Sequence, residues 1–290
     1  MIRWALFSLL AASLVGSARA DVAGALNSVR LHGCQGVPRS VPLSVNPRLD
    51  EAARRLSRGT DLHTAVERSG YRARNSTAVR ITNVPTDGDI ERIVARQFCR
   101  QVTQPDLRDI GTYRRGPDIW LVIAQPFITP RQSDSGQVSR RVLQLTNEAR
   151  SHARRCGSEL FQAAAPLTLD GTLALAAIQH TNEMAAHDYL DHIGRDGSSP
   201  ADRVTRTGYS WSSVGENLAS GTMNADETVN GWIGSPHHCA NLMSPKFTHM
   251  AVAFAVNAAS RGGIYWTQVF ATPRQVRSHG KRERPVTAAP

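Results

Sequence analysis

Gly231–Phe247 reads GWIGSPHHCANLMSPKF, and shortly before it Gly215–Gly221 reads GENLASG. These two stretches gather a carboxylate, two adjacent histidines, a cysteine and several amide and hydroxyl side chains among small and apolar residues. Between them, Asn224 followed by Asp226 and Glu227 has the form of a helix start, with Ala225, Val229 and Trp232 on one face. Downstream, Met250, Val252, Phe254 and Val256 alternate, as do Ile264, Trp266, Gln268 and Phe270. The turn-like run Asn257–Gly263 joins them, which predicts a β-hairpin. Upstream, Leu173, Ala177, His180 and Met184 recur at helical spacing and predict a helix from about Leu173 to His187. Val142, Leu145, Ala149 and Ala153 predict another over Val138–Arg155. Helices preceding a terminal hairpin indicate an α+β domain with helices packed on a small antiparallel sheet.

The first half of the chain follows the same order. LNSVRLHGC ends at Cys34 and LTNEARSHARRC at Cys156, with Asn27/Arg30 and Asn147/Arg150 at matching spacing. PLSVNPRLDEAARRLS then parallels PLTLDGTLALAAIQHT, SGY at Ser69–Tyr71 parallels TGY at Thr207–Tyr209, and QFC at Cys99 parallels HHC at Cys239. Pro105 and Pro245 follow, and each half closes on glycine and an apolar strand, GPDIWLVIAQPF and GGIYWTQVF. Shared order across so many pieces points to internal duplication. Thr129–Gln137, TPRQSDSGQ, is polar and breaker-rich and is expected to be the linker.

Four cysteines in an exported chain imply disulfides. Counting alone allows three pairings; the repeat selects Cys34–Cys99 and Cys156–Cys239. No two cysteines lie within ligand spacing, which argues against a cysteine zinc site.

Export is read from Arg3, the apolar run Trp4–Val15 and the small-residue site Ala18-Arg19-Ala20, a secretory signal over residues 1–20. Twelve apolar residues are too few for a bilayer core that needs about 20. The formal charge of +10 in 290 residues falls to +8 without Arg3 and Arg19. Nearly every base is arginine and the arginines are spread along the chain, so nucleic acid is not an expected partner. Residues 274–290 are basic and are read as a disordered tail able to touch anionic envelope polymers.

The second half, 138–273, resembles the CAP superfamily (cysteine-rich secretory, antigen 5 and pathogenesis-related 1 proteins). The resemblance is carried in family order by NEAR at Asn147–Arg150, PLTLDGTLALAA at Pro166–Ala177 and NEMAAHDYLDHIGRDGSSPADRV at Asn182–Val204. GENLASG, GWIGSPHHCANLMSPKF and YWTQVF at Tyr265–Phe270 complete it. It implies a three-layer α-β-α sandwich, preceded here by a smaller degenerate copy at 21–128. It also implies a cavity holding His192, Glu216 and His238, with Asn217, Ser235 and Asn241 bracing the loops. Two imidazoles and a carboxylate can share a divalent metal such as zinc, or form a polar, pH-sensitive cluster that binds a ligand. Two features depart from the animal and plant pattern: Ser235 replaces a second Glu, and Tyr265 falls where those relatives carry a histidine. His180, Glu183 and His187 also share a helix face; His180 is read as satisfied and partly buried, the other two as solvated.

No residue pattern assigns a reaction. There is no G-x-S-x-G, and the cysteines are used in bridges. The leading expectation is a secreted, periplasmic or extracellular, monomeric and non-catalytic protein that binds a small ligand, lipid or envelope polymer. A metal-assisted hydrolase and a structural or adhesive module are the alternatives. The first copy has no GEN after Tyr71, carries Phe98 in place of His238, and lacks about 14 residues that would include the His192 segment.

Overall fold

The computed structural model describes residues 12–275 except Pro85 and Asp87, with side chains from Val22 onward. The expected signal at 1–20 and tail at 274–290 therefore fall mostly outside the described residues. The chain divides into two compact units, one ending at Phe127 and the other beginning at Ile128.

The first unit runs α1 (Ala12–His32), β1 (Ser44–Val45), α2 (Pro47–Leu56), α3 (Leu62–Arg68), β2 (Ala73–Ile81), α4 (Gly88–Gln97), α5 (Cys99–Val102), β3 (Asp109–Arg115) and β4 (Asp118–Pro126). Its sheet has the order β1-β3-β4-β2, with β1 parallel to β3 and the other pairs antiparallel. Strand alternation assigns the two faces. Ile119, Leu121 and Ile123 of β4 pack with Leu26 and Val29 of α1 and Ile90 and Val94 of α4. Trp120, Val122 and Ala124 pack with Leu49, Ala52 and Ala53 of α2 and Ala65 and Val66 of α3. The result is a helix–sheet–helix sandwich.

The second unit runs α6 (Ser135–Arg150), β5 (Arg154–Cys156), β6 (Glu159–Phe161), β7 (Thr168–Leu169), α7 (Gly171–His187), α8 (Pro200–Arg206), β8 (Trp211–Ser220), α9 (Ala225–Gly234), α10 (Pro236–Met243), β9 (His249–Val256) and β10 (Ile264–Pro273). Its sheet has the order β7-β9-β10-β8, again with one parallel pair, β7 with β9; β5 and β6 form a separate hairpin. Ala251, Val269 and Ala271 face Leu173, Ala176 and Ala177 of α7 and Val204 of α8. On the other face, Gln268 reaches Thr146 of α6 at 3.1 Å. Asn224 starts α9 as expected, its side-chain oxygen accepting from the Glu227 N–H at 2.9 Å.

The helix expected over Val138–Arg155 differs at both ends. It starts at Ser135, inside the stretch expected to be linker, and stops at Arg150. Ala153 is not on it, because the next residues, Arg154–Cys156, pair in register with Glu159–Phe161.

The last residue of this helix, Arg150, has a fully buried side chain. Its guanidinium donates to the carbonyls of Ala165 (2.9 Å), Leu242 (2.8 Å), Ser244 (2.8 Å) and Phe247 (3.3 Å). One turn earlier, Asn147 exchanges a pair of hydrogen bonds with the Leu167 backbone at 3.0 and 2.8 Å. In the first unit Arg30, also fully buried, donates to the carbonyls of Val41 (2.6 Å), Val102, Gln104 (3.2 Å) and Leu107 (3.0 Å). Asn27 exchanges the same pair with Leu43 at 3.0 and 2.7 Å. Burial lowers both arginine pKa values, that of Arg30 to about 10, so both stay charged at neutral pH.

Each unit carries one disulfide, Cys34–Cys99 and Cys156–Cys239, the pairing the repeat selects. They join residues 65 and 83 positions apart, where chain entropy assigns roughly 4–5 kcal/mol each as an upper figure. Among the described residues no helix is long and apolar enough to cross a membrane.

Replacing Arg150 by Met keeps bulk but strands buried carbonyls that only a guanidinium serves. Urea unfolding of Arg150→Met should show a loss of about 3–5 kcal/mol in the second unit; a loss below about 1 kcal/mol would remove this cage as a structural determinant.

Candidate functional site

Glu216 lies in β8 and is buried, where an unpaired carboxylate would be costly. Both of its oxygens are engaged. Oε2 accepts from Arg203 of α8 at 2.8 Å, and Oε1 meets His192 Nδ1 at 2.8 Å. A carboxylate of this kind only accepts, so His192 carries its proton on Nδ1, and on this half-exposed ring Nε2 has no hydrogen-bond partner among the described residues. Arg203, itself buried, also donates to the carbonyls of His192 (3.0 Å) and Ser198 (2.8 Å), so one side chain fixes both Glu216 and the loop carrying His192. That arginine sits on a short helix begun by a full capping box, Ser199 with Asp202, and by Pro200 at its first position.

His238 enters from α10. Its carbonyl accepts from Asn217 Nδ2 at 3.1 Å, and the same amide nitrogen donates to Gln268 Oε1 at 3.2 Å. Asn241 Nδ2 donates to the Glu216 carbonyl at 3.0 Å and to Asn217 Oδ1 at 3.1 Å. Asn217 and Asn241 thus tie α10 to β8. Ser235 caps α10 through its backbone alone: its hydroxyl makes no capping bond and its carbonyl accepts from Cys239 N at 2.8 Å within the first turn. Gly215 permits the neighbouring packing: a Cβ there would lie 2.6 Å from the Phe247 ring.

The two site histidines are shifted in opposite directions. The hydrogen bond to Glu216 raises the pKa of His192 against the opposing effect of burial. Burial lowers that of His238, aided by the charges of His192 and His237. Their surroundings thus separate the proton affinities of the two rings.

The three-ligand metal set His192, Glu216 and His238 does not fit this arrangement. Glu216 spends one oxygen on a guanidinium and the other on His192, and a nearby fixed cation opposes a second one. Among the described residues no three His, Cys, Asp or Glu side chains form a group that could hold a metal ion. In this arrangement Glu216 orients the His192 ring and raises its proton affinity.

The reading of His180 and Glu183 also changes, while His187 is exposed as expected. His180 is fully buried, not partly so, and Glu183 is not simply solvated: it accepts from Tyr189 Oη at 2.6 Å and from Arg195 N at 3.1 Å. Tyr265 turns to Asp188, donating to Oδ1 at 2.5 Å. Sequence reasoning missed Arg203; its place in the SSPADRV capping motif was the available signal. A separate cavity of about 730 Å³ opens between the β6 region and β8, lined by Leu160, Phe161, Val214, Asn241, Lys246 and Phe247. Of the expected site residues, only Asn241 lines it.

Residues 143–270 match the cysteine-rich secretory protein family, CAP. The chain is 26% identical over 227 residues to the uncharacterized protein YkwD of Bacillus subtilis, covering 78% of this chain and 82% of that relative. It is 26% identical over 113 residues to the uncharacterized membrane protein YlbC of the same organism, of which it spans 30%. A similar solved structure is an extracellular protein containing a SCP domain from Bacillus anthracis, at 22% identity and TM-score 0.41, covering 53% of this chain and 52% of that one.

Histidine-resolved NMR titration should place the His192 midpoint above the ordinary value near 6.5 and that of His238 below it. The stabilisation from His192 is complete below its unfolded midpoint and is lost as pH rises through the raised one. Glu216→Gln should bring the His192 midpoint down; an unchanged midpoint would show that the contact is not formed in solution.

Proposed function

We propose that this chain, whose residues 143–270 form a domain of the cysteine-rich secretory protein family, is an exported binding protein that takes a small anionic group at His192 and His238. The observation that carries this is the charge balance around Glu216. Arg203 already matches that buried carboxylate, so protonation of His192 leaves the cluster with net positive charge. The free Nε2–H of His192 is then a charge-assisted donor at a half-exposed position. His238, kept neutral by burial, adds a donor or an acceptor. Export rests on the residue 1–20 signal and on the two disulfides, which suit an oxidising compartment. A second reading, general acid–base catalysis on the bound molecule, is favoured by the unlike surroundings of the two rings: His192 is hydrogen-bonded to Glu216, whereas burial holds down the proton affinity of His238.

We read the first unit, 21–128, as a degenerate copy. Support comes from the shared order of elements, the paired arginine and asparagine contacts, and one disulfide per unit. The glycine of each GY turn also takes a left-handed φ, 73° at Gly70 and 85° at Gly208. That unit lacks the His192 segment and GEN, and Phe98 packs partly buried against its core where the other unit has His238. Its role is structural or partner-binding. A fragment spanning residues 129–273 should accordingly fold by itself, with cooperative urea unfolding and an intact Cys156–Cys239 bridge; an aggregated fragment beside a well-behaved full chain would place the domain boundary elsewhere.

Binding should be strongest where His192 is charged. In native mass spectrometry and isothermal titration of the exported full chain, affinity for a small carboxylate or phosphate ligand should fall about tenfold as pH rises through the His192 midpoint, and His192→Ala should abolish that dependence. Retention of a neutral lipid in place of an anion would overturn the reading, and turnover of the bound molecule would move it to the catalytic alternative.

A further inference from the structure

The left-handed Asp188, with φ 52°, ends α7, and the chain from Tyr189 to Ser198 has no helix or strand to hold it. His192 lies in the middle of this segment and must nonetheless meet Glu216 on a strand. Its peptide neighbourhood is pinned twice. Arg203 donates to the His192 carbonyl at 3.0 Å, and His180 Nε2 meets the Asp191 carbonyl at 2.8 Å. A carbonyl only accepts, so the proton of His180 sits on Nε2.

His180 incurs a cost in this place. It is fully buried on α7, and its Nδ1 has no hydrogen-bond partner among the described residues. That nitrogen lies 3.6 Å from Glu183 Oε2, whose oxygen already accepts from Tyr189. Burial lowers the His180 pKa, with Glu216 and Glu183 opposing and Arg203 assisting, so the ring is neutral and turns a lone pair toward a carboxylate. An apolar side chain of similar size would avoid this cost of roughly 1–3 kcal/mol. What it could not supply is the donor to Asp191.

We propose that His180 is a positioning residue for the site, holding the Asp191 carbonyl so that the His192 ring meets Glu216. The role rests on the reading of the His192–Glu216 cluster given above. It also means that replacing His180 has an effect at a ring it does not touch. Leu, Phe or Ala at position 180 releases the Asp191 carbonyl beside His192, while Arg203 still holds the His192 carbonyl and Tyr189 and Arg195 remain tied to Glu183. The contact to Glu216 then loosens and the elevated proton affinity of His192 declines. Gln, whose Nε2–H reaches about as far as that of His, restores the donor.

The test is histidine NMR on the full chain. In wild type, His180 should appear as the Nε2–H tautomer with a slowly exchanging proton; an Nδ1–H tautomer overturns the proposal without any variant. His180→Phe should lower the proton affinity of His192 at least threefold, with the His238 midpoint and near-UV dichroism little changed, and His180→Gln should restore most of it. A folded His180→Phe with the wild-type His192 midpoint refutes the proposal, as does a His180→Gln variant that loses the midpoint as fully as His180→Ala. Glu216→Gln serves as control: if it leaves the His192 midpoint where it was, the cluster reading itself fails, independently of His180.

Discussion

Arg30 and Arg150 are fully buried, and backbone carbonyls occupy the place that water or a carboxylate would hold around a guanidinium. A buried cation is tolerated only when its donors are satisfied. Here the acceptors come from segments far apart in the chain: residues 165, 242, 244 and 247 for Arg150, and 41, 102, 104 and 107 for Arg30. No part of such a cage is worth much alone. The charge is compensated only when the helix, the chain after it and the loop following the cysteine helix have all arrived. The interaction therefore couples three segments into one event, and the neighbouring asparagine and disulfide reinforce the same junction.

The polar cluster of the second unit depends on that junction at one remove. Arg150 holds the Phe247 carbonyl, the Phe247 ring packs over Gly215, and Glu216 follows on the same strand. Asn241, one residue before a carbonyl bound by Arg150, ties α10 to Glu216 and Asn217. The strand that presents the carboxylate and the helix that presents His238 are thus referenced to the same guanidinium. His192 is referenced to a different one, Arg203, which binds Glu216 directly. The site lies where these two arginine-centred networks meet.

Much of this was legible in the sequence because it follows short-range rules. Alternation gave the β9–β10 hairpin, and Asn224 with Glu227 gave a helix start. The cysteine pairing was legible in the matching order of segments in the two halves, and the bridges form as that order selects. The end of α6 was not legible, because Val142, Leu145, Ala149 and Ala153 keep helical spacing through a point where strand pairing takes over. The chemistry of Glu216 stayed open between a metal ligand and a polar cluster for a related reason. Residue types at family positions named the two histidines and the carboxylate, but not Arg203, which converts a would-be metal ligand into half of a buried ion pair. Fully buried His180 shows the same limit: a helix-face pattern reports which residues share a side, not what that side meets.

β8 lies at the edge of its sheet, yet two of its carbonyls in the stretch carrying the polar cluster are covered. Asn241 covers that of Glu216, and the indole N–H of Trp232 covers that of Leu218 at 2.9 Å. Open strand edges template pairing between molecules. In the stretch that carries the polar cluster, side chains drawn from α9 and α10 occupy the ladder positions a foreign strand would need. The Asn241 amide, which ties α10 to the polar cluster, and the buried Trp232 indole are therefore also a barrier to edge-to-edge pairing at this strand.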